Sequence, residues 1–230
     1  MIDFVFLDLD DTILDFHKAE ALALSQTLRE LGIVPNPERL ALYSQINAAQ
    51  WRRLEAGEIT RGQVLTTRFR IFFDQIGVER SCDETQHIYE NHLSRGHYFI
   101  DGAEEVLEKL SETYALYLVS NGNLKVQEGR LKSANISHYF RDLFISEKIG
   151  ADKPSRVFFE RCFASIPNFE RSRSIIVGDS LTSDILGGIN AGIRTCWFNP
   201  YGRPSDPGIV PDHEIRDLRD LLPLLESVHS

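Results

Sequence analysis

Short apolar runs set among helical stretches limit this chain to few architectures. Phe4–Leu7, Ala115–Ser120, 143–145, 174–177 and Arg194–Phe198 read as strands. From about residue 98 strand and helix alternate to the end of the chain. Such alternation predicts an α/β fold, a parallel sheet covered by helices on both faces, with ligands in the crevice at the carboxyl ends of the strands. Asp101 reads as an acidic N-cap with Glu104 three residues on, and Ala103, Val106, Leu107 and Leu110 follow at helical spacing.

Residues 16–97 break the alternation. Leu24, Leu28 and Leu31, then Leu42, Ile46 and Ala49, mark amphipathic helices with no strand between them. Asn36-Pro37, Ala56-Gly57 and Ile76-Gly77 supply the breaks. The organisation expected is therefore a core of residues 1–15 and 98–230 with a helical insertion over 16–97. Residues 201–211, with Pro204, Pro207 and Pro211, read as a loop before a final helix at 218–225.

A net charge of −9 and a pI near 5.3 argue against a surface that tracks nucleic-acid phosphates. Met1-Ile2-Asp3 leads straight into the first strand without a basic or apolar leader, and no apolar run could span a bilayer. Cys82, Cys162 and Cys196 are odd in number and far apart, which suggests neither a disulfide framework nor a zinc site. A soluble, cytoplasmic protein with no nucleic-acid or membrane partner is expected.

The first strand ends in acids: Asp8, Asp10 and Asp11, with Thr12 behind them. Two unit charges about 4 Å apart repel by roughly 4 kcal/mol at an effective dielectric near 20, so a cation is needed to offset them. Helix capping would explain one such aspartate but not three. Later strand exits carry Ser120-Asn121-Gly122, Lys153-Pro154, and Gly178-Asp179-Ser180, with Asp184 five residues beyond Asp179. Asp184 reads equally as a cap for a helix beginning near Ile185 or as part of the site. The mixed-charge stretch 123–130 reads as a solvated helix face, and Gly187-Gly188 as a close-packing point within a helix.

Four polar stations in this order resemble the haloacid dehalogenase superfamily. Its first motif corresponds to Asp8-Leu9-Asp10-Asp11-Thr12, its second to Ser120, its third to Lys153 and its fourth to Asp179 and Asp184. The resemblance implies a Rossmann-like parallel-sheet core with an inserted all-helical cap of the C1 type. It further implies Asp8 as a nucleophile that becomes phosphorylated, and Asp10 as the general acid and base. Ser120, Lys153 and the Asn121-Gly122 backbone would hold the phosphoryl oxygens. Mg²⁺ would be bound by Asp8, the Asp10 carbonyl and Asp179, with Asp184 acting through water. Thr12 is expected among the substrate contacts. An acid at position 10 favours phosphate-ester hydrolysis or phosphomutation over dehalogenation.

The run from Ser183 to Ile193, then Thr195 to Asn199, is similar to the branch of pyrimidine 5'-nucleotidases, as are Trp51, 57–60 and Arg68-Phe69. This implies a small phosphorylated partner such as UMP, dUMP or dTMP, taken by a monomer or a homodimer. Phe16 and Trp51 are candidates to stack on the base, with packing inside the helical insertion as the alternative. Two rivals are a phosphatase or mutase for a sugar phosphate or phosphoglycolate, and a phosphate-binding regulator without catalysis. An inserted helical unit and the paired acids Asp8 and Asp10 argue against the regulator.

Overall fold

The computed structural model describes residues 1–227. Six parallel strands form one sheet: β1 (Phe4–Leu7), β2 (Ala115–Ser120), β3 (Phe140–Ile145), β4 (Ser174–Gly178), β5 (Arg194–Phe198) and β6 (His213–Ile215), in the order β3-β2-β1-β4-β5-β6. The chain builds outward from β1 on one side, then returns to build outward on the other. The strand order therefore reverses beside β1, and a crevice opens at its carboxyl end.

Side-chain alternation explains why these strands read as unbroken apolar runs. Val5, Leu7, Leu116, Leu118, Ile175 and Val177 face one layer, with α5 (Ala103–Thr113) and α10 (Leu221–Ser227). Phe6, Tyr117, Val119 and Ile176 face the other, against Phe158, Phe159 and Phe163 of α8 (Arg156–Ala164). A strand buried on both faces has no polar side to show. The remaining helices of this layer system are α6 (Leu124–Ala134), α7 (Ser146–Ile149) and α9 (Leu186–Ala191). Within α9 a Cβ at Gly188 would come 2.5 Å from Ile176, so the glycine permits the helix to lie against β4, as expected.

Four helices stand between β1 and β2: α1 (Phe16–Glu30), α2 (Pro37–Glu55), α3 (Arg61–Ile76) and α4 (Cys82–Leu93). Leu24, Leu28, Tyr43, Ile46, Phe69, Phe72 and Tyr89 give the bundle its own core. Its breaks fall where the sequence puts them. Asn36 caps α2 ahead of Pro37, and Gly77 ends α3 in the left-handed region at φ 67°.

Three details differ from expectation. Asp101 does not cap α5, because Gly102 takes that position at φ 79° and the Asp101 carboxylate instead pairs with Arg219 at 3.1 Å. The sixth strand, His213–Ile215, was not expected; its three residues carry no apolar run and are strand only because they pair with β5. Strand β3 begins at Phe140, since the exposed Arg141 and Asp142 hide its start from an apolar pattern.

Candidate active site

Asp8 leaves β1 directly into the crevice. Its Oδ1 accepts from Lys153 Nζ at 2.7 Å and its Oδ2 from the Thr12 hydroxyl at 3.3 Å. Burial drives the Asp8 carboxyl well above the usual carboxylate range; Lys153 opposes this, while Asp184, Asp10 and Asp179 add to it. Thr12 is fully buried and uses its hydroxyl on Asp8, so it supports that carboxylate from behind rather than lining the cavity as expected.

Lys153 also donates to Asp184 Oδ1 at 2.7 Å and to the Val119 carbonyl at 2.8 Å. Three donors meet three acceptors. Burial disfavours the ammonium, yet Asp184 and Asp8 together outweigh burial and hold it charged. Its backbone is fixed reciprocally to the loop after β2: Lys153 N–H donates to Asn121 Oδ1 at 2.8 Å, and Asn121 Nδ2 returns to the Lys153 carbonyl at 2.9 Å. Ser120, at the end of β2, accepts from the Gly122 N–H at 3.0 Å and from Gln127 at 2.8 Å. Its own hydroxyl proton remains to be given.

Asp179 follows β4, and Asp184 lies in a π-helical turn, 181–185. Asp184 is not the helix cap. Ser180 is, through its side chain on Ser183 N–H, while Asp184 turns inward and accepts from Ser180 N–H at 3.1 Å. Burial first, then Asp184 and Asp11, push the Asp179 carboxyl up to about 7 against the pull of Arg203, whose Nη2 is 3.1 Å away. One oxygen from each of Asp8, Asp179 and Asp184 lies within 4.8 Å of the others, the one such group among the described residues. Three crowded carboxylates facing few cations suit a hard divalent ion with oxygen ligands. The Asp10 side chain is not in this group.

The N-cap of α1 is Asp15, whose Oδ1 accepts from the Lys18 N–H at 2.8 Å. Of the other two acids after β1, Asp11 adds to that helix start. It sits at φ 58°, and its Oδ1 accepts from Phe16 N–H at 2.9 Å at the start of α1. Asp10 is held by α6. Gln127 Nε2 donates to its Oδ2 at 2.6 Å, and Arg130 pairs with its Oδ1. The expectation of a solvated face over 123–130 is thus overturned for these two. Arg130 is fully buried and also donates Nε to the Gly96 carbonyl at 3.0 Å. Gln127, Arg130, Leu131 and Ala134 recur at i, i+3, i+4 and i+7 on the buried side of α6, a helical period that the mixed charge of the segment obscures.

A cavity of about 510 Å³ opens above Asp8, Lys153 and Asp179 and continues between the helices of the bundle. Asn121 and Gly122 line it, as do Phe16 and Trp51; Ser120 sits behind that wall. Sequence reasoning missed Arg61. From the start of α3 it donates to the Asn121 and Gly122 carbonyls at 2.7 and 2.9 Å and pairs with Ser146 and Asp152. No local pattern announces a residue whose partners lie on the other side of a crevice.

Residues 5–198 match the haloacid dehalogenase-like hydrolase family. The chain belongs to that family. It is 40% identical over 221 residues, 96% of this chain and 94% of the relative, to HAD-hydrolase YfnB of Bacillus subtilis. It is 36% identical to pyrimidine 5'-nucleotidase PynA of Streptococcus pneumoniae, covering 97% of this chain and 94% of that one. Pyrimidine 5'-nucleotidase YjjG of Escherichia coli is 30% identical, with 97% of each chain covered. The crystal structure of magnesium-bound YfnB superposes with a TM-score of 0.94 at 39% identity, over 97% of this chain and 98% of that one. Membership in this hydrolase family bears out the expectations of an α/β core and of an enzyme. No helix among the described residues is long and apolar enough to cross a membrane.

Proposed function

We propose that this haloacid dehalogenase-like hydrolase is a magnesium-dependent phosphatase that acts through a phosphorylated Asp8 and takes pyrimidine nucleoside 5'-monophosphates. The observation that carries the chemistry is the convergence of Asp8, Asp179 and Asp184, the first and last of them bridged by Lys153, with Asp10 two residues from Asp8 on the same strand exit. The two relatives named as pyrimidine 5'-nucleotidases support the substrate class. The four-helix insertion acts as the cap over the crevice.

Attack by an Asp8 carboxylate oxygen on phosphorus forms the acyl phosphate as the bond to the ester oxygen breaks. Asp10, as the acid, gives its proton to that leaving oxygen. As a carboxylate it then takes a proton from water, whose oxygen attacks phosphorus, releasing phosphate and restoring Asp8. Lys153 beside Asp8 offsets the charge of the approaching phosphate, and Ser120, behind the cavity wall, holds the Gly122 N–H and so fixes the Asn121-Gly122 segment that faces the cavity. Magnesium, when bound by Asp8, Asp179 and Asp184, supplies positive charge against the phosphoryl oxygens.

Comparing kcat/KM for UMP, dUMP, dTMP, purine monophosphates and phosphoglycolate tests the substrate class, with pyrimidine nucleotides expected to lead. Phosphate release should vanish in Asp8→Asn, whose amide is a poor nucleophile. Turnover by that variant at the parent rate would reject the assignment.

A further inference from the structure

The cavity above Asp8 reaches a buried polar array that the phosphoryl chemistry does not use. Glu20 of α1, Asn47 of α2 and Arg68 of α3 all line it and are 3%, 2% and 3% exposed. Asn47 Nδ2 donates to Glu20 Oε1 at 2.7 Å, and Arg68 Nη1 donates to Asn47 Oδ1 at 2.8 Å. Arg68 Nη2 donates to Gln86 Oε1 on α4 at 2.9 Å. Glu20 and Arg68, opposite charges on one cavity wall, make no direct ion pair among the described residues; the Asn47 amide stands between them.

This array is unusual for a bundle core. A buried charged pair is often no more stabilising than apolar side chains of similar volume, and an unsatisfied buried donor costs stability outright. Here the capacity is not filled. Among the described residues Arg68 Nε is buried and without a partner, and of the five guanidinium N–H groups two are engaged. Asn47 keeps one N–H and one lone pair, and Glu20 keeps acceptor capacity beyond its bonds to Asn47 and Ser44. Donors from Arg68 and Asn47 thus adjoin acceptors on Glu20 along one wall. Phe16 and Trp51 line the same space and offer apolar faces. A planar ring with a polar edge matches that combination, and a cavity of about 510 Å³ lies within the roughly 300–1,000 Å³ of small-molecule sites.

We propose that Glu20, Asn47 and Arg68 read the imide edge of a uracil or thymine base, Arg68 and Asn47 donating to a ring carbonyl and Glu20 accepting the ring N3–H. The proposal rests on the nucleotide-phosphatase reading for the position of the phosphate, and it names the residues that select the leaving group. A sugar phosphate without a base would leave this wall unmatched.

Uridine, which carries no phosphate, tests the wall apart from the chemistry. Calorimetric titration of the unaltered protein should show uridine binding, and 3-methyluridine, which lacks the imide proton, should bind at least tenfold more weakly. The kcat/KM for UMP should exceed that for 3-methyluridine 5'-monophosphate by roughly 10⁴-fold, as for sites built to pair a substrate N–H or O–H. Equal handling of the methylated and parent compounds in both assays would overturn the proposal. Arg68→Met and Asn47→Leu should lower the UMP to ribose 5-phosphate ratio of kcat/KM at least tenfold; an unchanged ratio would count against the wall. Should these variants fail to fold, the methylated analogues on the unaltered protein still decide. Uridine binding without hydrolysis of any phosphate ester would uphold the wall and reject the phosphatase reading, so the two failures are separable.

Discussion

Lys153 Nζ lies 2.7 Å from Asp8 Oδ1 and equally close to Asp184 Oδ1, so one ammonium ties the exit of β1 to the turn after β4. All three groups are buried. The fold therefore depends on the same charge that the proposed chemistry uses. Lys153→Met should abolish turnover and destabilise the protein by about 3–5 kcal/mol, the cost of leaving buried charge without its partner. Urea denaturation measures this, and adding Asp184→Asn to the variant should recover part of the loss.

Asp10 stands apart from the three clustered carboxylates, so its removal should affect rate more than metal binding. Asp10→Asn is expected to lower kcat by about 10² to 10⁴, the usual range for acid–base help. Steady-state phosphate release checks this, and an unchanged rate would remove Asp10 from the mechanism.

Metal binding should be visible without substrate. With Mg²⁺ at a hundred times its dissociation constant the folded state gains about 2.7 kcal/mol, a rise in Tm of roughly 5–10 °C for a chain of this size. Asp179→Asn should blunt the rise, and a chelator should abolish turnover. Thermal melts with and without Mg²⁺ decide it.

Gly178 has the Asp184 carboxyl where a Cβ would stand. Gly178→Ala should therefore push Asp184 away from Lys153 and cost about 1–3 kcal/mol, as overpacked sites do. Denaturation and the Mg²⁺-dependent Tm shift report the two consequences separately.

Arg61 joins the bundle to the loop carrying Asn121 and Gly122 through two carbonyls. Arg61→Met should raise KM about tenfold for every substrate alike and speed amide exchange across residues 121–123. Exchange mass spectrometry would show the loosened loop, and protection equal to the parent would argue that the contact is incidental.

The residue pattern by itself determined the layers of this protein and the charged end of its sheet. Val5 to Leu7 and Ile175 to Val177 must be buried on both faces, and such runs have no other home than the middle of a helix-covered sheet. Asp8, Ser120 and Asp179 were legible because each closes or follows such a run, whereas Lys153 lies past the short α7 and stood out through Pro154 beside it. Helix spacing likewise exposed the bundle over α1 to α4. Only tertiary structure decided which acid does what. Asp11 accepts from the Phe16 N–H at the start of α1, Asp184 turns inward to Lys153, and Asp10 is held by Gln127 and Arg130, distinctions that three similar carboxylates cannot carry in their own sequence. The same holds for Arg61, for the short β6 and for the array of Glu20, Asn47 and Arg68. Periodicity records whether a side chain faces inward, whereas a polar partner is chosen by what the fold brings within 3 Å, and chain separations such as the 145 residues between Asp8 and Lys153 leave no local trace.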